Sequence, residues 1–235
     1  MLHALGARAI FRHRSSDRET DAFDLVVTLG GDGTLLWASQ GIGANQPVIA
    51  VNSAPQDSVG YFCGVQRGQL ADGLSDALSG KLRATTLTRM RVELDRKTCS
   101  TRVLNDALFS HSIPAATTRY AIRVRGREEE HKSSGVWIST AAGSSAAICS
   151  AGGQVQPISS KRLQFLVREP YAFGKTPCRL RRGLIGPSER LELQSRMRAG
   201  RLYLDGPHVW HPVEIGSWLS FSRSPEPLTL LGFRR

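Results

Sequence analysis

Asp32 sits at the centre of Gly30-Gly31-Asp32-Gly33-Thr34, directly after the apolar run Leu25-Val26-Val27-Thr28-Leu29. Glycines let backbone N–H groups approach an anion closely. A helix beginning near Leu35-Leu36-Trp37 would point the positive end of its dipole at the same place. Amides of this kind bind phosphate, and a carboxylate among them repels it unless it has a task. Two tasks suit it: taking a proton from a hydroxyl, or holding Mg²⁺. A simple helix-capping role would explain a lone Gly-x-Gly, but five consecutive residues in this setting point to phosphoryl chemistry.

Three further clusters lie downstream. Asn105-Asp106 places an amide beside a carboxylate, a pair able to read a base edge or ribose hydroxyls. On spacing alone, a turn pair is the simpler reading. Ser133–Ser139 is a β-branched and aromatic run entering the small residues Thr140-Ala141-Ala142-Gly143-Ser144-Ser145-Ala146-Ala147, and Ile148-Cys149-Ser150-Ala151-Gly152-Gly153 follows. Small side chains admit a planar ligand and hydroxyls reach phosphate or ribose, although Gly/Ser/Ala loops are also generic. Asp205-Gly206 reads most simply as a hairpin turn.

The elements that must position these residues fall into two styles. Up to about residue 83, short apolar strands alternate with helices. A helix contains Leu5 to Phe11, a strand Leu25–Leu29, a helix starts at Leu35, a strand Val48–Val51 meets Asn52 at its carboxyl end, and a helix covers Leu70–Leu78. That order implies a parallel sheet with ligands beyond the carboxyl ends of its strands. From about Thr85, short strands dominate: Arg89–Leu94, Thr101–Phe109, Tyr120–Val124, Val136–Ser139, Arg190–Leu193, Leu202–Leu204 and Trp218–Ser222. Glu128-Glu129-Glu130 marks a solvated hairpin tip. The expected fold class is an N-terminal Rossmann-like α/β domain followed by an all-β, sandwich-like domain.

Composition narrows the functional classes. The chain has 235 residues, 40% hydrophobic and 22% charged, enough to bury a substantial core and unlike disordered or fibrous proteins. No apolar run approaches the ~20 residues of a membrane span, and the start lacks a signal-peptide core. Cys63, Cys99, Cys149 and Cys178 are far apart, without metal-type pairs, and read as reduced thiols of a cytoplasmic protein. The net charge is +11, and eleven Lys/Arg face three acids between Lys161 and Arg201. With no nucleic-acid motif alongside, this stripe suits a solvated face or polyanionic substrates rather than nucleic acid.

The order Gly30–Thr34, Asn52, Asn105-Asp106, Ser139-Thr140…Gly143-Ser144-Ser145-Ala146 with Ser150-Ala151-Gly152-Gly153, then Asp205-Gly206, resembles the NAD kinase family. The resemblance runs from about residue 5 to the segment Trp218–Leu230. It is closest to the plant-type NADH kinase branch, through Leu104-Asn105-Asp106, Pro114-Ala115-Ala116, Lys132-Ser133-Ser134-Gly135, Leu166-Val167-Arg168-Glu169-Pro170 and His208-Val209…His211-Pro212. It implies an α/β domain of residues 1–84 joined by the C-terminal segment 222–235, and a β-rich domain of residues 85–221, with the dinucleotide between them. The implied reaction is transfer of a phosphoryl group from ATP to the 2′-hydroxyl of the adenosine ribose of NAD⁺ or NADH. Asp32 matches the proton acceptor. Gly30, Gly31, Gly33 and Thr34 would hold donor phosphates bridged by Mg²⁺. Asn105 and Asp106 match the pair gripping the acceptor. Lys132, Ser145, Ala146, Ala147 and Ser150 match its pocket, Arg119 supplies a phosphate contact, and Asn52, Ser134 and Thr140 complete the nucleotide set. No metal ligand in the chain itself is implied. The resemblance further implies a homodimer or higher homo-oligomer, acting on small nucleotides and on neither nucleic acid nor membrane.

Two departures bear on specificity. Bacterial and animal members usually carry Thr-Pro-Thr-Gly-Ser-Thr-Ala-Tyr where this chain has Thr140–Ala147, and an Asp where it has Ser134. The missing Tyr and missing charge near the nicotinamide end imply that NADH is accepted at least as well as NAD⁺. Diacylglycerol and sphingosine kinases share the Gly-Gly-Asp-Gly-Thr loop, so a lipid kinase is the alternative enzyme. A non-catalytic dinucleotide sensor is the alternative binder.

Overall fold

The computed structural model describes residues 6–13, 20, 22–171 and 178–233. Contacts divide the chain into two compact units, Met1–Thr86 with Leu228–Arg235, and Leu87–Pro227.

The first unit is α/β. Its elements are β1 (Val26–Leu29), α1 (Asp32–Ser39), β2 (Pro47–Asn52), the short β3 (Val65–Gln66), α2 (Leu70–Leu78), β4 (Ala84–Leu87) and, from the far end of the chain, β17 (Leu228–Leu231). The sheet order is β1-β2-β17-β4, with β3 also on β2. β1, β3 and β17 all run parallel to β2. β2 is buried from Val48 to Asn52 without alternation, as expected of a parallel strand enclosed by other elements. Ile49, Val51, Val65 and Leu74 form its core, with Leu70 and Leu231 packed alongside. Gly73 of α2 lets the helix approach the sheet, since a Cβ there would lie 2.7 Å from Val65 Cγ2.

The helix expected over Leu5 to Phe11 does not form. Ala7–Phe11 are irregular and Leu5 lies outside the described residues. Gly6 has φ +70, a left-handed conformation that stops a helix, and Arg8 and Arg12 are like charges at i, i+4.

The second unit carries two six-stranded sheets. Its strands are β5 (Met90–Leu94), β6 (Lys97–Val103), β7 (Asp106–His111), β8 (Thr118–Val124), β9 (Arg127–Ser133), β10 (Gly135–Ser139), β11 (Leu163–Arg168), β12 (Arg182–Ile185), β13 (Arg190–Ser195), β14 (Gly200–Leu204), β15 (Val209–Val213) and β16 (Trp218–Arg223). One sheet runs β12-β11-β10-β7-β14-β15 and the other β6-β5-β16-β13-β8-β9. A short helix α3 (Ala147–Ser150) follows β10. Phe109, Val136, Ile138 and Leu202 of the first sheet share one core with Tyr120, Ile122, Leu193 and Phe221 of the second. β13 and β14 alternate buried and more exposed residues, the two-residue period that a sheet packed on one face requires. The architecture is therefore an α/β unit and a β-rich sandwich.

Two expectations need correcting. Thr101–Phe109 is not one strand: β6 and β7 belong to different sheets, and the chain breaks at Leu104-Asn105. There the amides of Leu104, Asn105 and Asp106 donate to the carboxylate of Asp205 rather than to a ladder. Glu128–Glu130 are not the hairpin tip either. Arg125 and Gly126, both with positive φ, make the turn, and the glutamates lie on β9, paired with β8.

Arg89, fully buried, ties the start of this unit to its end. Its Nε donates to Glu226 O at 2.7 Å and its Nη2 to Pro227 O at 3.2 Å. Burial first, then nearby Arg102, lowers its pKa to about 10, so the guanidinium stays charged at neutral pH.

Candidate active site

Asp32 opens α1, immediately after Gly31. Its two oxygens are each fixed by a backbone donor: Tyr61 N–H to Oδ2 and Phe62 N–H to Oδ1, both at 2.9 Å. A carboxylate has about four acceptor positions, so two donors orient Asp32 and leave lone pairs for an incoming hydroxyl. The glycines are needed for close approach. A Cβ on Gly30 would lie 2.1 Å from Thr34 Oγ1, and one on Gly31 would lie 2.3 Å from Ser58 Oγ. Around Gly33 nothing would meet an added Cβ within 4 Å, which leaves that side of the loop open. Thr34 N–H donates to Gly31 O at 3.0 Å and closes the first turn.

Asn52 supports this arrangement from behind. It is 1% exposed, accepts from Ala54 N–H at 3.1 Å and donates from Nδ2 to Ser58 O at 3.0 Å. Both ends of its amide thus shape the loop that carries the Tyr61 and Phe62 donors. The rings of Tyr61 and Phe62 pack edge to face at 5.0 Å, and Phe233 lies 5.9 Å from Tyr61. Cys63 lies beside the same loop, with Sγ 3.8 Å from Gly30 O. Burial, then the charge of Asp32, pushes its thiol pKa up to about 11, so it remains protonated at neutral pH.

In the second unit, a separate cluster forms where β7 and β10 start and end. Thr140 is fully buried and its Oγ1 donates to Leu104 O at 2.5 Å. Thr140 N–H donates to Asn105 O at 3.0 Å. Gly143 lies against that same carbonyl, where a Cβ would come within 2.2 Å of Asn105 O. Ser144 is also committed internally, donating to Ala141 O at 2.7 Å and accepting from Gln156 N–H at 2.8 Å. Ser145, Ala147 and Ser150 are exposed and Ala146 is half-buried, so they present a small-residue surface beside Asn105. The side chain of Asn105 lies 3.5 Å from Asp106 Oδ2.

Asp205 is the residue that the sequence pattern undervalues. Beyond making the β14–β15 turn, its carboxylate accepts from the amides of Leu104 at 2.9 Å, Asn105 at 2.6 Å and Asp106 at 3.3 Å. Its own N–H donates to Asp106 O at 2.9 Å. Asp205-Gly206 gives a turn signal, but nothing local signals a partner a hundred residues away.

Burial first, then the charge of Asp205, raises the Asp106 pKa to about 7. Between roughly pH 4 and 7 the folded chain therefore holds a proton that the unfolded chain has released. This carboxyl's contribution to stability falls as pH rises through that window, at up to about 1.4 kcal/mol per unit. Asp106→Asn removes the dependence. In denaturant titrations from pH 4 to 8, the stability difference between wild type and variant should move steadily in the variant's favour and level off above pH 7. A difference independent of pH would contradict the assignment.

Arg119 and Lys132 face each other across β8 and β9, and both are exposed. They stand on the solvent side of the second sheet, whereas the Asn105–Ser150 cluster is built on the first. Ser134 lies between β9 and β10, its N–H donating to Arg168 O at 3.1 Å. It lines a cavity of about 220 Å³ with Ser110, His111, Thr118 and Tyr203.

Residues 7–75, which hold the Asp32 loop, match the family described as ATP-NAD kinase N-terminal domain. Over 220 residues the chain is 36% identical to a probable NADH kinase of Oryza sativa subsp. japonica, covering 85% of this chain and 68% of that protein. The chain belongs to the NAD kinase family. Two solved structures share its fold. A yeast NADH kinase complexed with NADH gives a TM-score of 0.77 at 20% identity, with 89% of this chain matched to 61% of that one. The chain thus spans about three-fifths of the yeast protein. An Archaeoglobus fulgidus NAD kinase in complex with ATP gives 0.77 at 21% identity, covering 97% of this chain and 85% of that one. Among the described residues, no helix is long and apolar enough to cross a membrane.

Proposed function

We propose that this protein is an NAD(H) kinase, transferring the γ-phosphoryl group of ATP to the 2′-hydroxyl of the adenosine ribose to give NADPH or NADP⁺. The observation that carries the reading is the carboxylate of Asp32, held at the start of α1 by the Tyr61 and Phe62 amides within a loop characteristic of the family. The family membership leaves the lipid-kinase and non-catalytic readings without support.

In this reading Asp32 accepts the ribose proton as the new O–P bond forms and the bond to ADP breaks. A positioned base of this kind contributes about 10²–10⁴-fold, and orientation and charge neutralisation supply most of the rest. Gly30, Gly31, Gly33 and Thr34 hold donor phosphates, which fits the open space at Gly33 and the helix N-terminus behind it. Mg²⁺ would enter as an ion carried in on those phosphates and would neutralise their charge. Asn105 and Asp106 grip the acceptor, Ser145, Ala146, Ala147 and Ser150 line its pocket, and Asn52 and Thr140 hold the loops. The family resemblance assigns a phosphate contact to Arg119 and pocket lining to Lys132, although both stand on the second sheet and outside the Asn105–Ser150 cluster. Ser134 completes the set, and action as a homo-oligomer in the cytoplasm belongs to the same reading.

NADH should be used at least as well as NAD⁺, since Ser134 offers no carboxylate to a cationic nicotinamide and Ala147 no aromatic ring. The test is the initial rate of NADPH or NADP⁺ formation with Mg²⁺–ATP and each dinucleotide. A kcat/KM for NADH equal to or above that for NAD⁺ is expected. A tenfold preference for NAD⁺ removes the specificity argument, and no turnover of either removes the kinase reading.

A further inference from the structure

β9 and β12 are the outermost strands of their respective sheets, so they border an open edge of the sandwich. Glu129 and His131, two residues apart on β9, point to the same side. The His131 side chain is fully buried and its ring stacks on Tyr120 at 5.7 Å. Cys178 lies four residues before β12. Its Sγ is 3.3 Å from His131 Nδ1 and 4.0 Å from Nε2, and Glu129 Oε1 is 2.9 Å from Nε2. One ligand atom from each residue falls within 4.8 Å of the others, the one such group among the described residues.

We propose that Glu129, His131 and Cys178 form a binding site for one zinc-class divalent cation, which joins the two sheets at this edge. The donor set of one thiolate, one imidazole and one carboxylate is the mixed, borderline-soft set that Zn²⁺ accepts. Bond lengths of about 2.3 Å to sulfur and about 2.0–2.1 Å to nitrogen and oxygen require tetrahedral ligand separations of about 3.4–3.6 Å. Through Nε2, the present separations of 4.0 and 2.9 Å bracket that value. A water molecule takes the fourth position.

The surroundings fit such a site. The N–H groups of Arg179 and Leu180 donate to the Glu129 carboxylate at 2.9–3.4 Å, as outer-shell donors do for ligating carboxylates. Thiolate and carboxylate together balance a dication, and on binding the Cys178 proton passes to solvent. Arg181 is the opposing charge, close enough to act on both His131 and Cys178, and it limits affinity. The sequence conceals the site because His131 and Cys178 are 47 residues apart, with no short metal-binding spacing.

The probe is Co²⁺ added to the chelator-treated, reduced full chain, followed by Zn²⁺ displacement. One equivalent should give thiolate-to-cobalt charge transfer and tetrahedral d–d bands, both abolished by Zn²⁺. Cys178→Ser should lose the charge-transfer band. Wild-type protein alone supplies the second measurement, maleimide labelling of each cysteine followed by mass spectrometry. Zn²⁺ should slow labelling of Cys178 at least tenfold. Absence of the charge-transfer band in wild type, its survival in a folded Cys178→Ser chain, or Cys178 labelling unchanged by Zn²⁺ would each overturn the proposal.

Discussion

Asp32→Asn should lower kcat for NADPH formation by ~10²-fold or more while NADH and ATP affinities change only a few-fold. The geometry adds a second expectation. Both Asp32 oxygens accept backbone N–H bonds from Tyr61 and Phe62. The asparagine side chain has one oxygen, so its NH₂ must confront one of those donors. Leaving that N–H unpaired costs about 1–3 kcal/mol, so the variant should also melt a few degrees lower. Steady-state kinetics with equilibrium binding separates the two effects. A variant that keeps more than a tenth of wild-type kcat shows that Asp32 is not the base, whatever its melting temperature.

Asp205→Ala should strongly destabilise the second unit. It removes the acceptor of three backbone donors at the Leu104–Asp106 break. Leu104 and Asp106 are buried, so water cannot readily replace the carboxylate. At about 1–3 kcal/mol for each unpaired buried donor, a loss of roughly 3 kcal/mol or more is expected in urea titrations. Asn105 and Asp106 would be misplaced with it, so KM for the dinucleotide should rise at least tenfold in whatever fraction folds. Stability within 1 kcal/mol of wild type would mean that the clamp is dispensable.

The parts legible in the sequence are those where local chemistry and tertiary context agree. Leu25–Leu29 ends in glycines and reads as a strand entering a loop, and the structure begins α1 at Asp32, three residues before the expected Leu35. α2 spans Leu70–Leu78 as its periodicity indicates. β9 was hidden because Arg-Glu-Glu-Glu-His-Lys-Ser carries no apolar residue. It is a strand only because β8 offers a ladder and because Glu129 and His131 find polar partners. Asn105-Asp106 signalled the break as a turn pair, but the apolar residues on either side, Val103-Leu104 and Ala107-Leu108-Phe109, favoured one strand, and the interrupting acceptor arrives from Asp205. Asn52 and Thr140 were found as motif members. Their work inside the loops, fixing carbonyls and amides, emerges only from the hydrogen bonds.

The place of β17 has a consequence for synthesis. Residues 87–227 are contiguous, and Arg89 fastens their two ends, so the sandwich has all its strands once Pro227 has left the ribosome. The α/β unit does not. β17 lies inside its sheet, between β2 and β4, and Leu230 is fully buried. The stretch holding the Asp32 loop is therefore translated early yet waits for residues 228–231 to complete its central layer. A stop codon at residue 228 would spare the larger body and leave the nascent front half without an interior strand.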